Sequence, residues 1–383
     1  MKVIQVSASY KPAVIYGGPT MSVSKLSEVL CKNGIHTEVI TTLANGKTEL
    51  SFPAGEMKYI ENVPVWFFKR ITKDHSHFSP ALLKHLFKIK KTAEPIIIHI
   101  HAWWNLVSIF ACIIAQLKNI PVVLSPRGTL SSYSFNKKHN LIKNWMHFLA
   151  GKKLLSNCFF HVTSEAEKKE ILQLLQPKRI QVISNFITLP SNIKFNHTEK
   201  TPILKLLFLS RVEAKKGLEI LLEALKNTDV PYQLTIAGTG EPEYLKSLQK
   251  IVDKNSMQSY INWIGFQDQE AKFQVLQIHD LLILPSYNEN FGNVVIESLA
   301  VGTPVLISKN VGLADYVVSN QLGWTFENHP EQLREQLLEI NQNRIWLEKI
   351  KLQSPQKIRE DFAENVLLNQ YTDFYQEVIS DCK

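Results

Sequence analysis

Short apolar runs, bounded by Gly, Pro, Ser and Asn, alternate with longer stretches of helical period along the whole chain. In the first half the runs predict strands at Val3 to Val6, Thr37 to Thr41, Val63 to Phe68, Ile96 to His101, Val122 to Ser125 and Phe159 to Thr163. In the second half they predict strands at Leu206 to Ser210, Gln233 to Ala237, Ile261 to Ile264, Leu281 to Leu284 and Val305 to Ile307. Near-continuous apolar runs mean strands buried on both faces, which is the pattern of parallel sheets with helices on either side. The predicted fold class is α/β. Leu189 to Thr201 is polar, proline-containing and without period, so it is read as a linker. The predicted division is an N-terminal unit at 1–188, a second unit at 202–362 and an amphipathic C-terminal stretch at 363–383.

Length and composition agree with this division. A chain of 383 residues is too long for one ordinary core and suits two α/β domains. Four cysteines, Cys31, Cys112, Cys158 and Cys382, show neither paired nor metal-ligand spacing, so reduced thiols in a cytoplasm are expected. The opening run VIQVS lacks the order of a secretory signal, and the apolar segment Trp103 to Leu117 is short for crossing a bilayer. Charge changes the picture more. Residues 1–190 carry 24 Lys and Arg against 10 Asp and Glu, whereas the remainder carries 19 against 25. A basic first half suggests an anionic partner, such as phospholipid head groups or a phosphorylated acceptor. Within it, SPALLKHLFKIKK (Ser79 to Lys91) predicts a helix with an apolar face at Leu82, Leu83, Leu86 and Phe87 and four lysines beside it. Packing on its own sheet and contact with an anionic membrane both account for that face.

The richest chemistry lies in SYNENFGNVVIESLAVGTPV, residues 286–305. Asn290, Phe291, Gly292 and Asn293 open a predicted helix that runs to about Ala300, and Glu289 and Glu297 stand on either side of its start. Unpaired N–H groups and partial positive charge at a helix start favour anionic or hydroxyl-rich ligands, and carboxylates accept bonds from sugar hydroxyls. Solvated surface glutamates are the plain alternative, opposed by the apolar neighbours in VVIESLA. In FLSRVEAKKGLEIL, Arg211 follows a strand and Lys216 precedes a helix, which places two cations on one loop as a departing diphosphate requires. Gly17 and Gly18 sit between the first strand and the next helix, where they serve either a ligand or a plain turn. His101 lies at the carboxyl end of its strand, the usual ligand edge, with His99 on the same face and read as core. Arg127 follows another strand in LSPRGTL. Gly238 and Gly240 form a GxG without the third glycine of a dinucleotide fingerprint, which argues against a dehydrogenase.

These motifs resemble the family 4 retaining glycosyltransferases, nucleotide-sugar-dependent members of the glycosyl transferases group 1. The resemblance implies the GT-B fold, two facing Rossmann-like domains with parallel sheets and an interdomain cleft. It assigns His101, Arg211, Lys216 and Glu289 to catalysis, with Arg211 and Lys216 on the departing diphosphate and Glu289 on the donor sugar. Gly17, Gly18, Gly240, Asn290, Phe291, Gly292, Asn293, Val294 and Glu297 are assigned to the donor, with Glu297 on the ribose and main-chain groups of Phe291 and Gly292 on the sugar. Arg127 is assigned to the acceptor, and the C-terminal stretch to the first domain. The implied partners are a nucleotide sugar and a glycan or polyprenyl-linked acceptor for a surface polysaccharide. Neither nucleic acid, metal nor other cofactor is expected, and the expected location is the cytoplasm at the inner membrane face. A non-catalytic nucleotide-sugar-binding partner, a phosphorylase and an epimerase are the rival readings.

Overall fold

The structure is a computed structural model that describes residues 1–74, 76–131, 151–190 and 201–382. Most of the expected linker, residues 191–200, lies outside the described residues. The chain forms two compact units, Met1–Phe186 with Glu364–Lys383, and Ile187–Ala363.

The first unit is built on β1 (Lys2–Val6), β2 (His36–Thr42), a small hairpin of β3 (Ala44–Asn45) and β4 (Thr48–Glu49), then β5 (Met57–Ile60), β6 (Val63–Phe68), β7 (Ile96–His101), β8 (Val122–Ser125), β9 (Phe159–Val162) and β10 (Arg179–Val182). Among the described residues the main sheet runs β10-β9-β8-β7-β1-β2-β6-β5, with only β5 antiparallel. Both faces are covered. Ile4, Val6, Ile98 and Ile100 face a core that includes Leu82 and Leu86 of helix Pro80–Lys88 and Val107 and Ala111 of helix Leu106–Leu117. Val3, Ile97, Val123 and Phe159 face Leu26 and Val29 of helix Gly18–Lys32, together with Tyr371, Phe374 and Tyr375 of the C-terminal helix Glu364–Ser380. Burial from both sides is why β7 reads IIIHIH.

The second unit has β11 (Leu204–Leu209), β12 (Tyr232–Ala237), β13 (Ile261–Gly265), β14 (Leu281–Leu284), β15 (Val305–Ser308) and β16 (Gly323–Phe326). Its sheet is parallel throughout, in the order β13-β12-β11-β14-β15-β16. In both sheets the chain builds outward on one side and then returns to the other. The order therefore reverses between β1 and β7 in the first unit, and between β11 and β14 in the second. Ligands of doubly wound folds bind in the crevice outside the strand carboxyl ends at such a switch point.

The strands that the apolar pattern did not predict are β5, β10 and β16, together with the hairpin. β5, β10 and β16 lie at sheet edges with half-exposed faces, so no continuous apolar run marks them. Ser79 precedes helix Pro80–Lys88 without capping it through its side chain. It sits at the N-cap, but its hydroxyl donates to Lys69 O and accepts from none of the N–H groups of the helix start.

Candidate functional site

In the second unit the loops leaving β11 and β14 meet. Arg211 and Lys216 lie on the first, Glu289 on the second, and Lys216 Nζ donates to Glu289 Oε2. The backbone closes the same gap, since Tyr287 N donates to Lys215 O at 2.9 Å. Gly217 makes this approach possible. Its φ is +66°, and a Cβ built there would stand 2.1 Å from Pro285 O. No side chain other than hydrogen fits between the loops. The Glu289 loop is itself pinned, as Glu289 N donates to Asn310 O at 3.0 Å and Gly312 N to Glu289 O at 2.8 Å. Both ion-pair partners are largely covered by neighbouring protein, with side chains 11% and 21% exposed, so water screens the pair less than a surface one.

Helix Asn293–Ala300 begins right after that loop, with Gly292 at its N-cap in the left-handed region. Phe291 is 2% exposed and packs edge-on against Phe362, so what this residue can offer a ligand is its main chain. Asn290, Asn293 and Val294 are half-buried around the helix start. One turn on, Glu297 Oε1 accepts from Lys272 Nζ at 2.6 Å, and Lys272 also lies over the Phe273 ring. The sequence reading did not single out Lys272, because a lysine in QEAKFQ carries no motif. Arg211 is 57% exposed and pairs with Glu213 on its own loop at 3.2 Å. Among the described residues no hydrogen bond or ion pair joins Arg211 to Lys216, Glu289 or Glu297. At Gly240 a Cβ would stand 1.9 Å from Val212 O, so close contact with the Arg211 loop accounts for this glycine without a ligand.

His101 and Arg127 belong to the first unit, at the carboxyl ends of β7 and β8. His101 Nε2 lies 2.6 Å from Gln5 Oε1, and Arg127 Nε donates to His101 Nδ1 at 3.2 Å. One assignment satisfies both contacts: Nε2 carries the proton and Nδ1 accepts. A substrate hydroxyl reaching either ring nitrogen has to displace Gln5 or Arg127. Arg127 Nη1 donates to Asn185 Oδ1 at 3.0 Å. The loop after Arg127 is fastened by Glu167 Oε1, which accepts from Gly128 N at 2.8 Å, while Ser164 caps the helix from Glu165 by accepting from Glu167 N at 3.2 Å. Gly17 holds the N-cap of helix Gly18–Lys32 with a φ of +66°, and Gly18 opens it.

Behind His101 runs a chain of neutral groups. His161 Nε2 donates to Ile183 O at 2.9 Å, which makes its Nδ1 the acceptor for Ser125 Oγ at 2.5 Å. Ser125 Oγ in turn accepts from His99 Nε2 at 2.6 Å, leaving His99 Nδ1 to accept from the Tyr375 hydroxyl at 2.7 Å. Burial holds His99 and His101 well below the usual imidazole range, and brings His161 down to about 3. Among the described residues no group of three His, Cys, Asp or Glu is placed to hold a metal ion, and no helix is long and apolar enough to cross a membrane.

Comparison with known proteins gives two family matches. The family described as Glycosyltransferase Family 4 matches residues 16–189, and that described as Glycosyl transferases group 1 matches residues 191–365. A glycogen synthase of Mycobacterium tuberculosis is 24% identical over 346 residues, covering 84% of this chain and 81% of its own. An amylovoran biosynthesis glycosyltransferase of Erwinia amylovora is 25% identical over 197 residues, covering 49% of this chain and 48% of its own. Among solved structures, sucrose-phosphate synthase from Thermosynechococcus elongatus superposes with a TM-score of 0.77 at 18% identity, covering 100% of both chains. Anabaena HepE in complex with UDP-glucose gives 0.73 at 17% identity, covering 98% of this chain and 100% of its own. These likenesses establish the GT-B fold, made of Rossmann-like units.

Proposed function

The chain belongs to the glycosyltransferases of group 1, and from that premise we propose that it moves a sugar from a nucleoside diphosphate to a glycan or lipid-linked acceptor with retention at the anomeric carbon. The observation that carries this reading is the pairing of Lys216 with Glu289 across the switch point of the second sheet, beside a helix start. The pairing fixes the aim of the carboxylate, whose oxygens accept from sugar hydroxyls. An ammonium has three N–H donors, so Lys216 can hold Glu289 and a phosphate oxygen together. As the bond from anomeric carbon to diphosphate oxygen breaks, negative charge grows on the diphosphate. Lys216 and the helix start meet it there, and Arg211 joins by leaving Glu213. The acceptor oxygen bonds to the anomeric carbon from the face that the diphosphate leaves, and its proton passes to a diphosphate oxygen. Glu297, steadied by Lys272, is the ribose partner in this scheme. No metal is required, since these cations supply the electrostatic stabilisation. HepE in complex with UDP-glucose supports a nucleotide-sugar donor. The relative in amylovoran synthesis supports a polysaccharide product.

In this reading His101 acts through Arg127, which faces the acceptor. Helix Pro80–Lys88 supports a location at an anionic membrane surface. Leu82 and Leu86 are buried, yet Phe87 remains 60% exposed among Lys84, Lys88, Lys90 and Lys91, all exposed. The deciding experiment has two stages. Nucleoside-diphosphate sugars are screened by thermal shift, where a ligand of the native state raises the melting temperature. The stabilising donor is then used for transfer, and the anomeric configuration of the product is read by NMR. An inverted anomer, or donor binding without transfer, overturns the proposal.

A further inference from the structure

We propose that the acceptor carries an anionic group, a phosphate or a carboxylate, and that Arg127 receives it. The inference rests on the reading of the first unit as the acceptor side. Arg127 is half-buried in a strained loop, with a φ of +52° that costs a non-glycine residue about 1–2 kcal/mol. Its side chain is fixed at two points, by His101 Nδ1 and Asn185 Oδ1. Both acceptors are neutral, since the imidazole donates its one proton to Gln5.

The charge is therefore held in place without being cancelled. Among the described residues Arg127 forms no ion pair, in contrast with Arg70, which meets Glu49, and Arg211, which meets Glu213. Glu167 is close enough to act on Arg127 electrostatically, but its two oxygens are taken by Gly128 N and by Thr163 N and Oγ1. A guanidinium has five N–H donors, and Nη2 of Arg127 donates to no described residue. A planar fork with an open side matches the paired oxygens of carboxylate or phosphate. A neutral hydroxyl fills one bond but leaves the partly buried charge uncompensated, which is the costly arrangement. The topology agrees, because Arg127 and His101 stand at the carboxyl edge beside the β1/β7 switch point, where the Gly17–Gly18 loop also begins its helix.

The test is calorimetric titration of the full chain at low ionic strength, with UDP saturating so that the nucleotide site is filled. Glycerol phosphate, glucuronate and glucose are the probes for phosphate, carboxylate and neutral sugar. The wild type is expected to bind at least one anionic probe tenfold or more tighter than glucose, and the stronger of the two identifies the anion. Arg127→Gln should abolish that preference. Asn185→Asp, a near-isosteric change that gives Arg127 a carboxylate, should abolish it too while keeping the guanidinium and the fold. Equal binding of all three probes by the wild type overturns the proposal, as does a preference that survives Asn185→Asp. UDP affinity is measured first. If UDP does not bind, the donor reading fails, while the anion titration without nucleotide still decides the role of Arg127.

Discussion

Lys216 and Glu289 stand 73 residues apart in sequence and form one ion pair, made by two loops that approach closely enough to exclude any side chain at Gly217. The donor chemistry proposed for this enzyme depends on that contact. Lys216→Ala is expected to raise the barrier to transfer by at least about 2 kcal/mol, the scale for losing one charge partner of a transition state. Arg211→Ala should show the same direction. Steady-state kcat reports both, and wild-type turnover in Lys216→Ala removes the assignment. Turnover should also persist in chelator.

Glu297→Ala is expected to weaken nucleoside-diphosphate binding more than it lowers kcat, because a ribose contact is made in ground and transition states alike. Lys272→Met should follow it with a smaller loss, since it frees the carboxylate without removing it. Titrating UDP into each variant gives the comparison. Unchanged affinity in Glu297→Ala assigns the ribose to another group.

Gly217→Ala places a Cβ against the backbone carbonyl of Pro285, with a positive φ besides. The expected cost is about 1–3 kcal/mol of stability from the strained backbone. Donor affinity should fall together with it, because the loops part. Denaturant unfolding measures the first effect and nucleotide titration the second.

His99, His101 and His161 are held neutral by burial, so their folded pKa values lie below the ordinary value of about 6.5. A depressed value in the folded state means that the unfolded chain takes up more protons in acid. Their contribution to stability is full above about pH 6.5 and is lost progressively as pH falls, toward about 3 for His161. Each such imidazole adds up to about 1.4 kcal/mol per pH unit to the slope within that window. NMR of the ring carbons should show all three neutral at pH 5.5, and titration of any of them near 6.5 contradicts the network.

Phe87 and its lysines give a prediction for binding at surfaces. The full chain should sediment with anionic phospholipid vesicles at low salt, release as salt rises, and ignore zwitterionic vesicles. Phe87→Ser should reduce the bound fraction severalfold without altering the melting temperature, because the ring is largely exposed. Indifference of the wild type to anionic vesicles ends the membrane reading.

The sequence by itself determined the α/β class, the inner strands of both sheets, the loops that carry Arg211, Lys216 and Glu289, and the helix that carries Glu297. It could do so because doubly buried strands leave continuous apolar runs, and because helix starts and glycine turns are written in neighbouring residues. Edge strands β5, β10 and β16 escaped, since half-exposed strands leave no such run. Only the tertiary structure decided partners. It joined Lys216 to Glu289 and Lys272 to Glu297, and it left Arg211 on its own loop with Glu213. It also turned His101 from a free imidazole into the support of Arg127, by bringing Gln5 to its other nitrogen from the neighbouring strand. Pattern along a chain records which face of an element is buried. It does not record which distant side chain arrives there, because that depends on strand order and register, and these are settled only when the sheet assembles.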